Sequence, residues 1–503
     1  MQPIVTTPHP LASAAGAEVL RRGGNATEAA VAIGTVLTVV MPHFCGLGGD
    51  AVWLLADREG RQVALMGIGQ APQHLPMLSD PISLRGPGAA LTTACVADTW
   101  NQALRFWGSN MDPADLLAPA LRLARDGYTP GPSQDFWLDF RASEWPHWPG
   151  FARIFGHRGS DGPLRQPELA EIIALLAQDG LRSFYKGRAA QRIAQGLAQA
   201  GIQLSAEDLA QTRCRFETPL RASYRGIELL APPPPTQGAS TLAIMAVLDR
   251  LAPADTPAER LHLLVEAVKQ AFLDRPLIAD PPAMDPAALL DPVRLEAKAR
   301  AIDPGRSLDW PHCYRHGDTV FYAVCDGQGR CVSALQSTYF DWGSGVVAGD
   351  TGILWHNRGA AFSVQSNDPN RIAPGKRPFY TLNPGIALKD GQPHLLYGTQ
   401  GADGQPQTLA RLLTGLIDDD LTPEQALAQP RFLLGKTFSD SRDILKLEVS
   451  LGAGTIRHLR QIGHQITELP ELSPICGCAG VIDITASLAA HDPRGEGCAV
   501  VLD

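Results

Sequence analysis

A layered α+β architecture is expected from three features of the sequence. β-like hairpins stand near both ends of the chain, a long helical block lies between them, and no break in composition separates the two. The strands are apolar on both pleat faces, so they belong in sheets that are covered on both sides.

Residues 11–22 have helical apolar spacing and stop at Gly23-Gly24, which supply the left-handed turn that ends a helix. Asn25 opens a second helix, with Glu28 three residues on completing a capping box. That helix, carried by the apolar run 29–41, is apolar nearly all round and should lie between layers. Strands at 51–56 and 61–67 are joined by Asp57-Arg58-Glu59-Gly60 and read as a hairpin. The same layout recurs at 319–325 and 331–338 around Asp326-Gly327-Gln328-Gly329. A third hairpin is expected from 480–484 and 498–502.

Between the first two hairpins, Asp112-Pro113 starts a helix that runs toward Gly127, with Asp as cap and Pro at the first helical position; Pro119 inside it is a candidate kink. Further helices are expected over 167–178, 189–200, 240–251, 258–273 and 292–301. A β-like pair at 218–224 and 226–230 precedes Pro232-Pro233-Pro234-Pro235-Thr236-Gln237-Gly238, which reads as a rigid extended segment within one domain. The chain, 1–503, is therefore expected to form a single interwoven domain.

Composition excludes several classes of function. The chain has 503 residues, 45% of them hydrophobic and 19% charged, and its net charge of −9 comes without a long run of either sign. That is a soluble globular composition without a nucleic-acid footprint. The apolar run 29–41 is well short of the roughly 20 residues that span a bilayer, so no membrane partner is expected. Arg21 and Arg22 precede it, but Glu28 abuts it and no small-residue cleavage site follows before Pro42; a cytoplasmic location is the expectation. The nine cysteines form an odd set with only Cys476 and Cys478 close in sequence, which predicts buried thiols rather than disulfides or metal ligands.

No motif calls for a cofactor. Gly435-Lys436-Thr437 imitates the end of a phosphate loop, but Pro430 stands where its first glycine belongs. Gly46-Leu47-Gly48-Gly49 lacks dinucleotide-binding spacing and leads into a strand. Neither GxSxG nor HExxH occurs, and the histidines, among them His9, His43, His312, His316 and His356, show no ligand spacing. No metal is expected.

What remains is the stretch 317–345, where Gly317-Asp318-Thr319 leads into the second hairpin and Trp342-Gly343-Ser344-Gly345 follows it. On these residues alone, Thr319 is either ordinary strand content or a nucleophile. The run Gly317-Asp318-Thr319, then Phe340-Asp341-Trp342-Gly343-Ser344-Gly345, Thr351 to Asn357, Phe362-Ser363 and Pro374-Gly375-Lys376-Arg377-Pro378 resembles the light subunit of γ-glutamyltransferases, which are N-terminal nucleophile hydrolases. Gly23-Gly24-Asn25-Ala26, Gly46 to Gly49, Pro233 to Gly238 and Val265-Glu266-Ala267 with Asp274-Arg275 resemble the heavy subunit. The resemblance spans nearly the whole chain.

It implies a four-layer αββα sandwich, made as one proenzyme and cut before Thr319 into a heavy chain, 1–318, and a light chain, 319–503. The two chains would be each other's partners, and a homodimer of such heterodimers is compatible with it. The cut has a chemical purpose. A threonine hydroxyl is a weak nucleophile until a base takes its proton, and cleavage gives Thr319 its own α-amino group, with an ordinary pKa of roughly 7.7–8.0. Ser337 matches the family threonine that orients the nucleophile. Gly401 and Ala402, in Gly398-Thr399-Gln400-Gly401-Ala402-Asp403-Gly404, match the pair whose backbone amides stabilise the tetrahedral oxyanion.

The glutamyl clamp of the family is altered. Its carboxylate-binding arginine falls on Ile68 of Ile68-Gly69-Gln70-Ala71-Pro72, its amino-group ligands on Tyr339, Arg358 and Ala361, and its paired serines on Tyr380 and Thr381. Arg358 would repel a substrate ammonium and suits a carboxylate, unless it serves as an ion-pair partner within the fold. The resemblance thus points to a small anionic amide held by Arg358, Tyr339, Tyr380 and Thr381, with oxamate, hydrolysed to oxalate and ammonia, the most concrete candidate. γ-Glutamyl hydrolase or transferase and cephalosporin-type acylase are the alternatives.

Overall fold

The computed structural model describes residues 1–156, 162–310, 317–437 and 441–503, so His312 and His316 lie outside the described residues. A seven-stranded sheet runs in the order Cys498–Val501, Ile4–Thr7, Asp318–Cys325, Cys331–Tyr339, Asp50–Ala56, Gln62–Gly67 and Arg215–Glu217. A six-stranded sheet runs Leu488–His491, Ala479–Asp483, Gln392–Thr399, Gly385–Lys389, Ile227–Ala231 and Leu220–Tyr224. The first sheet draws its strands from both halves of the sequence, with Ile4–Thr7 seated between Cys498–Val501 and Asp318–Cys325.

Side-chain alternation along each strand builds four layers. On Asp318–Cys325, Phe321, Ala323 and Cys325 join one buried cluster while Val320, Tyr322 and Val324 join another. The first cluster also holds Ile386, Leu388, Leu396 and Ile482 of the six-stranded sheet, so it fills the space between the two sheets. The second continues into helices Pro10–Arg21, Ala26–Val40 and Val96–Phe106, which cover the outer face. Opposite, Ala387, Leu395, Tyr397 and Val481 pack on helices Gly238–Arg250, Pro257–Phe272 and Gln405–Ile417. The fold is therefore an αββα sandwich, and the two-sided apolar strands are its direct cause.

The expected elements form with small shifts. Ala26–Val40 carries the complete Asn25–Glu28 capping box and is buried along its whole length. Pro113–Asp126 is capped by Asp112, and Pro119 is accommodated inside it. Leu220–Tyr224 pairs with Ile227–Ala231.

The third hairpin is a correction. Ala479–Asp483 pairs with Leu488–His491, whereas Cys498–Val501 crosses to the other sheet and pairs with Ile4–Thr7. Both segments are apolar enough for a central position, and only packing decides which sheet each one joins. The strands Ile4–Thr7 and Gly385–Lys389 and the helix Gln405–Ile417 were also not anticipated. Among the described residues, the eight cysteines are free thiols, and no helix is long and apolar enough to cross a membrane.

Candidate active site

The site begins at the hairpin whose first strand runs from Asp318 to Cys325. Its turn is fixed by Asp326, whose Oδ1 accepts from the amides of Gln328 and Arg330 at 2.9 and 3.0 Å. At the far end the register slips: Asp318 faces Tyr339, but Val320 faces Gln336. Thr319 therefore stands opposite both Ser337 and Thr338, a bulge of the kind that re-aims side chains at functional sites.

The bulge sets the geometry around the peptide bond between Asp318 and Thr319. Ser337 Oγ donates to the Asp318 carbonyl oxygen at 2.5 Å and accepts from the Tyr339 amide at 2.7 Å. The Thr319 amide donates to Asp318 Oδ1 at 2.8 Å, while Thr319 Oγ1 is buried and has no hydrogen-bond partner among the described residues. Ser337 Oγ thus engages the carbonyl oxygen of that peptide bond, and the hydrogen bond to the Thr319 hydroxyl expected of it is not made here.

Gly317 threads between Tyr339 and Ala402. A Cβ added there would come within 3.0 Å of the Tyr339 ring and 3.1 Å of the Ala402 Cβ. This brings the turn after Gln392–Thr399, on the other sheet, to the same place. Gly401 and Ala402 both have positive φ, 116° and 45°, which turns the backbone sharply; the cost for Ala402 must be met by its surroundings. Gln237 does this. Its Nε2 donates to the carbonyls of Ala402 and Thr381 at 2.7 and 2.8 Å, and its Oε1 accepts from Arg275, itself ion-paired with Asp403.

Arg358 opens a short helical turn and is fully buried. Its guanidinium is sandwiched between Tyr339 and Tyr380, 3.6 Å from each ring centre. It reaches the Phe379 carbonyl and Thr381 Oγ1 only at 3.4 and 3.3 Å, and its Nε has no partner among the described residues. Among the described residues no carboxylate forms an ion pair with it. Tyr380 is held by Asp50, which accepts from its hydroxyl at 3.0 Å and from the amides of Gly69 and Cys95. Burial pushes the Asp50 carboxyl above its ordinary range, against the pull of His356.

Two of the altered clamp positions, Ile68 and Ala361, lie in apolar surroundings. Ile68 is buried with Tyr380 in the cluster between the sheets, and Ala361 packs with Tyr339 and Phe340. A cavity of about 240 Å³ touches Gly317, Asp318 and Phe340, with Arg85 and Arg141 on its wall, both ion-paired with Asp341. A larger cavity of about 710 Å³ lies elsewhere, beside Tyr224, Leu264 and Arg411, and holds none of these residues.

Sequence reasoning passed over Gln237, Asp50 and the carboxyl of Asp318 as site residues. Asp50 ends Gly46-Leu47-Gly48-Gly49-Asp50, and Gly49 marks a close approach: a Cβ there would lie 2.4 Å from the Ser337 carbonyl oxygen. The structure also joins His262, Glu266 and His464, a grouping the sequence did not suggest because His464 is remote in the chain. Its atoms are already committed. His262 Nδ1 and His464 Nε2 share a hydrogen bond at 2.9 Å, and the Lys269 ammonium sits 2.7 Å from Glu266 Oε1, where it supplies the positive charge.

Two stacked sheets with helices on both outer faces are the αββα fold of the N-terminal nucleophile hydrolases. The chain belongs to the gamma-glutamyltranspeptidase family, whose model matches residues 12–502. It is 40% identical to the oxamate amidohydrolase proenzyme of Klebsiella pneumoniae subsp. pneumoniae, over 99% of this chain and 98% of that one. It is 36% identical to the glutathione hydrolase-like YwrD proenzyme of Bacillus subtilis, with the same coverage of both chains. Among solved structures, the cephalosporin acylase of Bacillus halodurans superposes with a TM-score of 0.90 at 28% identity, covering 99% of this chain and 95% of that one. The chain is accordingly an enzyme of the amidohydrolase and transferase type found in this family.

Proposed function

We propose that the protein is an N-terminal threonine amidohydrolase that cuts itself before Thr319, into chains 1–318 and 319–503, and then releases ammonia from a small carboxylated amide, oxamate before others. The observation that carries the substrate class is Arg358, a fully buried guanidinium stacked between two tyrosines without a carboxylate partner among the described residues. An uncompensated buried charge is costly, and a substrate carboxylate supplies the missing partner.

In the mature enzyme the α-amino group of Thr319 takes the Oγ proton as Oγ attacks the amide carbon. The amides of Gly401 and Ala402 stabilise the oxyanion, and Ser337, freed from the departed Asp318 carbonyl, orients Oγ. The amine returns its proton to the leaving nitrogen, which departs as ammonia and leaves an ester on Thr319. Water then hydrolyses the ester; with oxamate the acid released is oxalate, a step suited to purine-nitrogen salvage. Arg358 holds the carboxylate throughout, between Tyr339 and Tyr380 and beside Thr381. The apolar Ile68 and Ala361 remove the groups that hold a glutamyl substrate, and the 40% identity to an oxamate amidohydrolase supports the same reading.

The test is ammonia release from oxamate compared with p-nitroaniline release from a γ-glutamyl anilide, in the cleaved enzyme and in Thr319→Ala. Oxamate turnover that is lost in the uncut variant is the expected result. Preferred turnover of the anilide would replace this reading with the γ-glutamyl one.

A further inference from the structure

Self-cleavage needs more than a nucleophile. The hydroxyl of Thr319 must lose a proton, and the amide nitrogen that leaves must gain one. Among the described residues no side chain hydrogen-bonds Thr319 Oγ1, the Asp318 carboxyl included, so the base must be sought among the groups that flank the bond. One titratable side chain does contact the bond: Asp318 Oδ1 lies 2.8 Å from the Thr319 nitrogen, and Asp318 itself is buried. Ser337 Oγ donates to the carbonyl oxygen of the same bond at 2.5 Å. A proton carrier on the nitrogen side and a donor on the oxygen side therefore bracket a single peptide.

Resting on the proposed cut before Thr319, we infer that the side chain of Asp318 is the proton carrier of self-cleavage. Its carboxylate takes the Oγ proton as Oγ bonds to the Asp318 carbonyl carbon, and Ser337 stabilises the oxygen that becomes negative. The tetrahedral centre collapses, the C–N bond breaks, and the carboxylic acid returns the proton to the departing nitrogen, which becomes the free α-amine. The net change is an amide converted to an ester on Thr319 Oγ. Water then hydrolyses that ester, releasing Asp318 as a new C-terminus.

The surroundings suit a strong carboxylate base. Burial pushes the Asp318 carboxyl well above the ordinary carboxylate range; the Thr319 amide pulls it down and Asp341 pushes it up. Cys478 also feels this carboxyl, and Arg85, Arg141 and Glu144 share its cavity, with the two arginines engaged by Asp341. A group so placed is a poor resting anion and a good proton acceptor.

The experiment follows cleavage of freshly translated full-length chain by denaturing gel and intact mass between pH 5 and 9. Wild type, Thr319→Ala, Asp318→Asn, Asp318→Glu and Asp318→Ala are compared. Asp318→Asn is expected to slow cleavage by at least about 100-fold and to lack the rise of rate with pH expected of wild type. Asp318→Glu is expected to recover part of the rate. Formate should accelerate Asp318→Ala, because the cavity of about 240 Å³ touches this position. Thermal melts matching Thr319→Ala establish that the variants fold, and formate rescue reads the chemistry where a melt alone cannot. Cleavage of Asp318→Asn within threefold of wild type, with the same pH profile, would overturn the inference. A wild-type chain that stays as uncut as Thr319→Ala would instead overturn the cut itself.

Discussion

The guanidinium of Arg358 lies 3.6 Å from the ring centre of Tyr380, stacked on its face, and Tyr339 lies at the same distance on the opposite side. A planar cation gripped by its two faces keeps its edge for hydrogen bonding. That edge is underused, with Nε unpartnered and two long contacts to Phe379 and Thr381.

Arg358→Gln should therefore weaken oxamate turnover by roughly 2–5 kcal/mol in kcat/KM, mostly through KM, the range seen when one member of a buried charge pair is truncated. Arg358→Lys should recover little, since an ammonium neither stacks nor forks. Steady-state kinetics on oxamate and on its neutral diamide check this. Unchanged kinetics on oxamate would remove Arg358 from the site.

Gln237 ties two backbone carbonyls together, Ala402 at 2.7 Å and Thr381 at 2.8 Å. Gln237→Leu should let the turn at Gly401 relax while leaving Arg358 in place. A displaced oxyanion donor should lower kcat by about 100-fold with little change in KM, on the scale of a 1 Å misplacement. Rate measurements on the cleaved enzyme decide between this and a purely structural role, which would lower the melting temperature without the kcat loss.

Ser337→Ala removes the hydroxyl that donates to the Asp318 carbonyl oxygen at 2.5 Å. Cleavage of the precursor should slow by roughly 10²–10³-fold, as for loss of one oxyanion donor, and pulse-labelled precursor should persist on a gel. Wild-type cleavage in this variant would show that the contact has no part in the reaction.

Asp318 also predicts how precursor stability depends on pH. Burial raises its folded-state pKa, so the folded precursor holds this proton longer than the unfolded chain does. Stability should then fall as pH rises from the unfolded pKa, roughly 3.9, toward the folded one. In an uncut Thr319→Ala background, Asp318→Asn should remove that fall. Melting temperatures of the two precursors should diverge as pH increases, in favour of the Asn variant; a constant gap would contradict it.

Much of the fold was legible because it rests on local rules. Near-continuous apolar runs with turn residues between them marked the hairpins at Asp318–Cys325 and Asp50–Ala56, and Asn25 with Glu28 marked a helix start that forms as read. The error at Cys498–Val501 arose where local rules end. Its pattern is that of an inner strand, and its partner is Ile4–Thr7 at the other end of the chain.

The site divides in the same way. From the sequence, through its family resemblance, came Thr319, Gly401 and Ala402 as candidate site residues, and Ile68, Arg358 and Ala361 as the residues expected at the family's glutamyl clamp. Tertiary structure alone decided that Arg358 is buried between two tyrosines without an ion-pair partner among the described residues. It also decided that Gln237 clamps the turn, and that Asp318 and Ser337 bracket one peptide bond. Residue type and spacing record what a side chain can do. Whether a charge has a partner, or a hydroxyl a base, depends on which distant segments packing brings within hydrogen-bond reach.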